Sequence, residues 1–141
     1  MFVVGFSLWA MNSLQSNFDF AEQFRQRTKA FALRIMKLVD QLPSKPSSRA
    51  VGAQLVRSGS SIAANYRAAC RARSSREFVA KLHIALEEAD ETVLWLELLD
   101  ESSTVASGKL DSLLAEARAI MATLGKAEKT ARENMRKQNE H

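Results

Sequence analysis

Between Asp19 and Leu42, positions Phe24, Thr28, Phe31, Ile35, Leu38 and Leu42 follow one another at alternating steps of four and three. That spacing traces one face of an α-helix. Arg25, Arg27, Lys29, Arg34 and Lys37 fall off the stripe, and Pro43 and Pro46 end it, because proline lacks an N–H and restricts the residue before it. A second helix starts near Ser47 or Ser48, either of which is a candidate cap. Its stripe is Val51, Leu55, Ser58, Ile62, Tyr66 and Ala69, with Gly52, Ala53, Gly59, Ala63, Ala64 and Ala68 filling much of the rest. Side chains this small let neighbouring helices approach closely. Ser74 and Glu77 have the S-x-x-E spacing of a capping box, which opens a third helix with Phe78, Leu82, Ala85, Ala89, Val93 and Leu96 on its main face.

From Val93 to Leu99 only Glu97 is polar, and a helix apolar all round is buried all round. One core in a chain this small does not cover both faces, so a subunit interface through Leu94, Trp95 and Leu98 is expected. Ser102 to Gly108 reads as a loop, and a fourth helix carries Leu110, Leu113, Ala117, Ile120 and Leu124. Long helices with short connections predict an all-α, antiparallel up-down-up-down four-helix bundle over residues 18–125. After Gly125 the pattern thins into a charged helical or frayed tail, residues 126–141.

Composition narrows the setting. Two prolines and five glycines leave little punctuation for an all-β fold. One cysteine builds neither a disulfide framework nor a cysteine-based zinc site. Met1 to Met11 is apolar and uncharged, yet it is about half the length a membrane span needs and lacks the basic start of a secretory signal. Residues 1–17 are therefore set aside as a leader: either Met11 is the initiator, or the segment is a disordered or self-docking tail. A cytoplasmic protein without membrane contact is expected.

Catalytic and metal-binding patterns are missing from the sequence. A di-iron bundle uses Glu-x-x-His pairs, whereas Ala80 stands three residues before His83. His83 and Glu87 form an i, i+4 pair, too few ligands for a specific metal and better read as a surface or interface contact. Cys70 has arginines nearby that favour a thiolate, but a lone helical cysteine ordinarily packs as a small hydrophobe, and His83 is thirteen residues away in another helix. Ser58 to Ser61 is not a nucleophile elbow, and no glycine-rich phosphate loop occurs. The expectation is no enzyme and no cofactor.

Charge is the informative feature. The net charge of +4 conceals 13 basic and 3 acidic residues between Phe20 and Lys81, followed by 9 acidic and 1 basic between Leu82 and Glu116. Arg67, Arg71, Arg73, Arg76 and Lys81 gather around the join of the second and third helices, with Arg57 upstream. One reading is a phosphate-binding patch for RNA, DNA or a ribonucleoprotein. The other is neutralisation by Glu87, Glu88, Asp90 and Glu91, within or between subunits, which would leave a protein-binding scaffold with no nucleic-acid contact.

The run from Gln54 to Asn65, QLVRSGSSIAAN, followed by Arg73-Ser74, Glu77-Phe78 and the stretch Ile84 to Glu88, resembles the bacterial four-helix bundle proteins also called 23S ribosomal RNA intervening-sequence or S23-like proteins. The resemblance covers about Phe18 to Gly125. It implies a homopentameric bundle without enzymatic activity, associated in some members with ribosomal RNA genes or with a reverse transcriptase and nucleic acid. Arg57, Ser58, Asn65, Arg73, Ser74 and Phe78 are the signature positions it implies. Phe78 reads as core, and Asn65 as a buried amide needing a partner across the bundle or subunit boundary. Where many members carry an acidic-glycine turn, this chain has Tyr66 to Ala72 with added arginines, extending the second helix and making its surface more basic.

Overall fold

The computed structural model describes residues 8–140, with side chains from residue 15 onward. Four helices make up the fold: α1 (Leu8–Asp40), α2 (Pro46–Cys70), α3 (Ser75–Glu101) and α4 (Asp111–Asn139). Each packs against the next in chain order, α4 returns to α1 along a thin seam, and the diagonal pairs do not meet. The arrangement is the antiparallel four-helix bundle that the periodicity predicts.

The expected stripes form the core. Phe31, Ile35, Leu55, Ile62, Leu82, Leu96, Ile120 and Leu124 are almost fully buried, and Phe24 meets Tyr66 edge-on at a centroid distance of 4.6 Å. Burial of each large aliphatic side chain contributes about 1.5–3 kcal/mol before the chain entropy is counted.

Local boundaries differ from expectation in two places. The first helix begins at Leu8 rather than Asp19: residues 8–18 hold no proline or glycine to stop it, and Gln15 Nε2 donates to Asp19 Oδ1 at 3.0 Å. Residues 8–17, set aside in sequence as a leader, thus continue α1, and the remainder of that leader lies outside the described residues. Neither Ser47 nor Ser48 caps α2. Pro46 occupies its first turn and Lys45 stands at the cap with no side-chain hydrogen bond, since proline's fixed φ suits that position. The tail after Gly125, for which the sequence left helical or frayed open, is helical through Asn139, held by Glu128, which is 7% exposed.

Small residues on α2 set its distance from α1. A Cβ built on Gly59 would lie 3.2 Å from Ile35 Cγ1, and one on Gly52 would lie 3.1 Å from Val39 Cγ1. The opposite seam is polar: Arg27 Nη2 pairs with Glu116 Oε1 at 2.6 Å, and Arg34 Nη2 donates to Ser112 Oγ at 2.9 Å. Hydrogen bonding from Arg27 holds the Glu116 carboxyl below its ordinary value of 4.5, against the opposing effect of partial burial.

Two glycines therefore carry opposite expectations. Gly125 faces open space, so Gly125→Ala stabilises the helix by about 0.5–1 kcal/mol. Gly59→Ala drives a methyl into Ile35 and loses about 1 kcal/mol net, the overpacking outweighing the gain in helix propensity. Urea unfolding of both variants checks the signs. For the seam, Arg27→Gln costs about 0.2–1 kcal/mol at neutral pH, a value already discounted for solvent screening. A carboxylate with a depressed pKa stabilises above its unfolded value and loses that contribution as pH falls through the folded one. The difference between wild type and Arg27→Gln therefore persists above pH 4.5 and fades below it, as pH-dependent denaturation will register.

Candidate nucleic-acid interface

The cationic side chains divide into two groups. Arg57, on the face of α2 toward α3, is committed: Nη1 lies 3.1 Å from Glu88 Oε2 and Nη2 pairs with Glu91. Its Nε donates to Gln54 Oε1 at 3.1 Å. Hydrogen bonding from Arg57 lowers the Glu91 pKa, and the Trp95 indole adds to the effect, with Nε1 donating to Glu91 Oε1 at 3.2 Å. Arg57 thus stands apart from the arginines at the α2–α3 turn, and its partner Glu91 also holds Trp95.

Among the described residues, Arg67, Arg71, Arg73, Arg76 and Lys81 form no ion pair. The fold places all of them but Arg76 beside two adjoining concavities. One, of about 580 Å³, runs between α1 and α2 and is lined by Arg25, Lys29, Arg67 and Arg71 over a floor of Ala63 and Ala64. The second, of about 540 Å³, shares Arg67 and Arg71 and adds Arg73 and Lys81 at the α2–α3 turn. Together they form one basic track. The acids along it are engaged: Glu22 pairs with Arg25, and Glu77 Oε2 accepts from the Arg73 backbone N–H at 2.9 Å. Arg76 is exposed on the first turn of α3 and does not line either concavity.

Sequence reasoning missed Arg25 and Lys29. They sit on α1, some forty residues before the cluster, and only the α1–α2 packing brings them to it. The available signal was that both lie off the apolar stripe on one side of the helix.

The remaining signature positions are structural. Ser74 caps α3, accepting from the Glu77 N–H at 3.0 Å. Ser58 and Thr92 are fully buried, with their hydroxyl oxygens 2.8 Å apart between α2 and α3. Thr92 Oγ1 is also 2.8 Å from the Glu88 carbonyl oxygen, and two hydroxyl protons serve both contacts. Asn65 corrects an expectation: it is half-buried and its Nδ2 donates to the Ser61 carbonyl and hydroxyl, both at 2.9 Å. Its partner lies one helical turn away rather than across the bundle, because a short amide reaches its own preceding turn. Phe78 is partly buried against the core.

His83 joins two helices. Its Nε2 lies 3.2 Å from Glu87 Oε1, as the i, i+4 spacing suggests, and its Nδ1 lies 2.9 Å from Glu128 Oε1 on α4. Arg132 also pairs with Glu128, at 2.8 Å. Cys70 is half-buried and free beside Tyr66, whose phenol is pushed up chiefly by burial. Among the described residues no group of three or more His, Cys, Asp or Glu side chains gathers as a metal site, and no helix is long and apolar enough to cross a membrane. On the outer face of α3, Leu94 and Leu98 are exposed and Trp95 is half-buried.

Residues 21–126 match the family model described as 23S rRNA-intervening sequence protein. The chain belongs to this family. A crystal structure of a protein of unknown function from the S23 ribosomal protein family of Bacteroides thetaiotaomicron VPI-5482 superposes with a TM-score of 0.72. It is 34% identical, and the alignment covers 77% of this chain and 97% of that one. No curated protein matches significantly. The matched region begins at Ala21, so the upstream extension of α1 lies outside the family match.

The Ser58–Thr92 contact generates a test within this family core. Thr92→Val leaves the buried Ser58 hydroxyl without its side-chain partner and costs about 1–3 kcal/mol. Adding Ser58→Ala removes the orphaned group and recovers part of the loss, so the double variant unfolds at higher denaturant than Thr92→Val alone.

Proposed function

We propose that this family member is a non-enzymatic, homo-oligomeric accessory protein whose basic track binds the phosphate backbone of RNA or DNA, alone or within a ribonucleoprotein. The observation that carries this reading is the continuous line of Lys29, Arg67, Arg71, Arg73 and Lys81, cations without carboxylate partners among the described residues. Cations that displace condensed counterions from phosphates supply most sequence-independent affinity. The family description, which refers to intervening sequences of 23S rRNA, and the relative's assignment to a ribosomal protein family are consistent with such a ligand, although neither names one.

Self-association is supported by Leu94 and Leu98, large apolar side chains left exposed at the apolar end of α3. The resemblance implies five copies. A scaffold that only binds protein is the competing reading, in which neighbouring subunits neutralise the track.

Fluorescence anisotropy with labelled RNA and DNA across a salt series decides between them. Binding is expected at low salt, with log K falling linearly against log salt. Each phosphate contact removed lowers the slope by about 0.7–0.9, so Arg67→Ala with Arg71→Ala reduces it by about 1.5 and weakens all sequences alike. Arg57→Ala leaves it unchanged. Absence of binding at low salt, or binding insensitive to salt, would favour the scaffold.

A further inference from the structure

Besides the track, the described residues expose the large apolar side chains of Phe18, Phe20 and Ile84, and two further pairs, each spaced one helical turn apart, on the outward faces of α3 and α1. On α3 these are Leu94 and Leu98, 48% and 43% exposed. On α1 they are Leu33 and Met36, 53% and 48% exposed, at positions the core stripe of that helix leaves on its solvent side. Among the described residues α1 and α3 do not touch: they stand at diagonal corners, so their outer faces look to opposite sides of the molecule.

The two faces carry opposite charge. Lys29 and Lys37 lie one helical turn to either side of Leu33, with Asp40 one turn beyond Met36, and neither lysine has an ion-pair partner among the described residues. Around Leu94 and Leu98 stand Asp90, Glu91, Glu97 and Glu101. Arg57 engages Glu91, and Arg118 reaches Glu97 only at 3.5 Å, while Asp90 and Glu101 have no ion-pair partner among the described residues. Two α3 faces brought together by a two-fold axis would set one acidic rim against another, and like charges facing across an interface oppose association. The α1 face offers the missing complement: an apolar pair of similar size with a basic border.

We infer that copies of this chain assemble head to tail, with Leu33 and Met36 of one subunit seated on Leu94 and Leu98 of the next. This mating rests on the proposed self-association and specifies its geometry. An interface between different faces leaves every open assembly one free face of each kind, one at either end, so it propagates until the rotation closes a ring. A face-to-face dimer has no such freedom. Because Lys29 also lines the α1–α2 concavity, the mating sets the neighbouring subunit beside the basic track.

The test uses two double variants of the full chain, with folding verified by circular dichroism and mass in solution by light scattering. Leu33→Asp with Met36→Asp disables the α1 face; Leu94→Asp with Leu98→Asp disables the α3 face. Wild type is expected to be oligomeric and each variant monomeric. Their equimolar mixture is expected to form a one-to-one dimer and stop there, since only one intact face of each kind remains. If the α1 variant assembles as wild type does, or the mixture stays monomeric, the head-to-tail mating is wrong while self-association by another face stands. A monomeric wild type overturns both. Retained, salt-dependent RNA binding by the monomeric variants would show that the track acts independently of the mating.

Discussion

The bundle depends on how closely α1 and α2 approach. Gly52 and Gly59 remove the side chains that would hold the helices apart, and Val39 and Ile35 fill the space. A methyl at either glycine would sit inside ordinary van der Waals separation, so the contact has little slack. On the other side of α2, the buried Ser58–Thr92 hydrogen bond ties it to α3. The second helix is thus clamped from both sides by small residues, and α1, α2 and α3 take their relative positions from it.

That clamp explains the basic surface. Where α1 and α2 run close together over Ala63 and Ala64, their long cationic side chains stand along the borders of a shallow concavity. Larger residues on α2 would fill the floor and separate Lys29 from Arg67. Acids along the track are drawn away by nearer partners, Glu22 by Arg25 and Glu77 by the backbone at the turn. The dense carboxylates of α3 lie further along the bundle and engage Arg57 and His83. Positive and negative halves of the sequence are therefore largely segregated in space, which lets one chain present a basic track, a basic-rimmed face and an acidic-rimmed face.

Much of this was legible in the residues, because helical periodicity is a local property. Phe24, Phe31 and Ile35, or Leu82, Ala89 and Leu96, are buried where a 3.6-residue repeat places them. The capping role of Ser74 needed only four residues of context, and the contact of His83 with Glu87 only five. The run QLVRSGSSIAAN carried the family resemblance, although four of its residues turn out to serve packing and local bonding: Arg57, Ser58, Ser61 and Asn65 all have partners inside the chain.

Pairings between distant segments were decided by the tertiary structure alone. Arg57 leaves the arginine cluster because α3 brings Glu88 and Glu91 within reach, whereas Arg25 and Lys29 join it because α1 packs beside α2. Glu128, in a tail whose apolar pattern had thinned, becomes buried through His83 and Arg132. Sequence by itself determined which side chains each helix turns inward, since that follows from the repeat of the backbone. It could not determine which charges meet, because Coulombic partners depend on through-space distance, and that distance is set only when the helices dock.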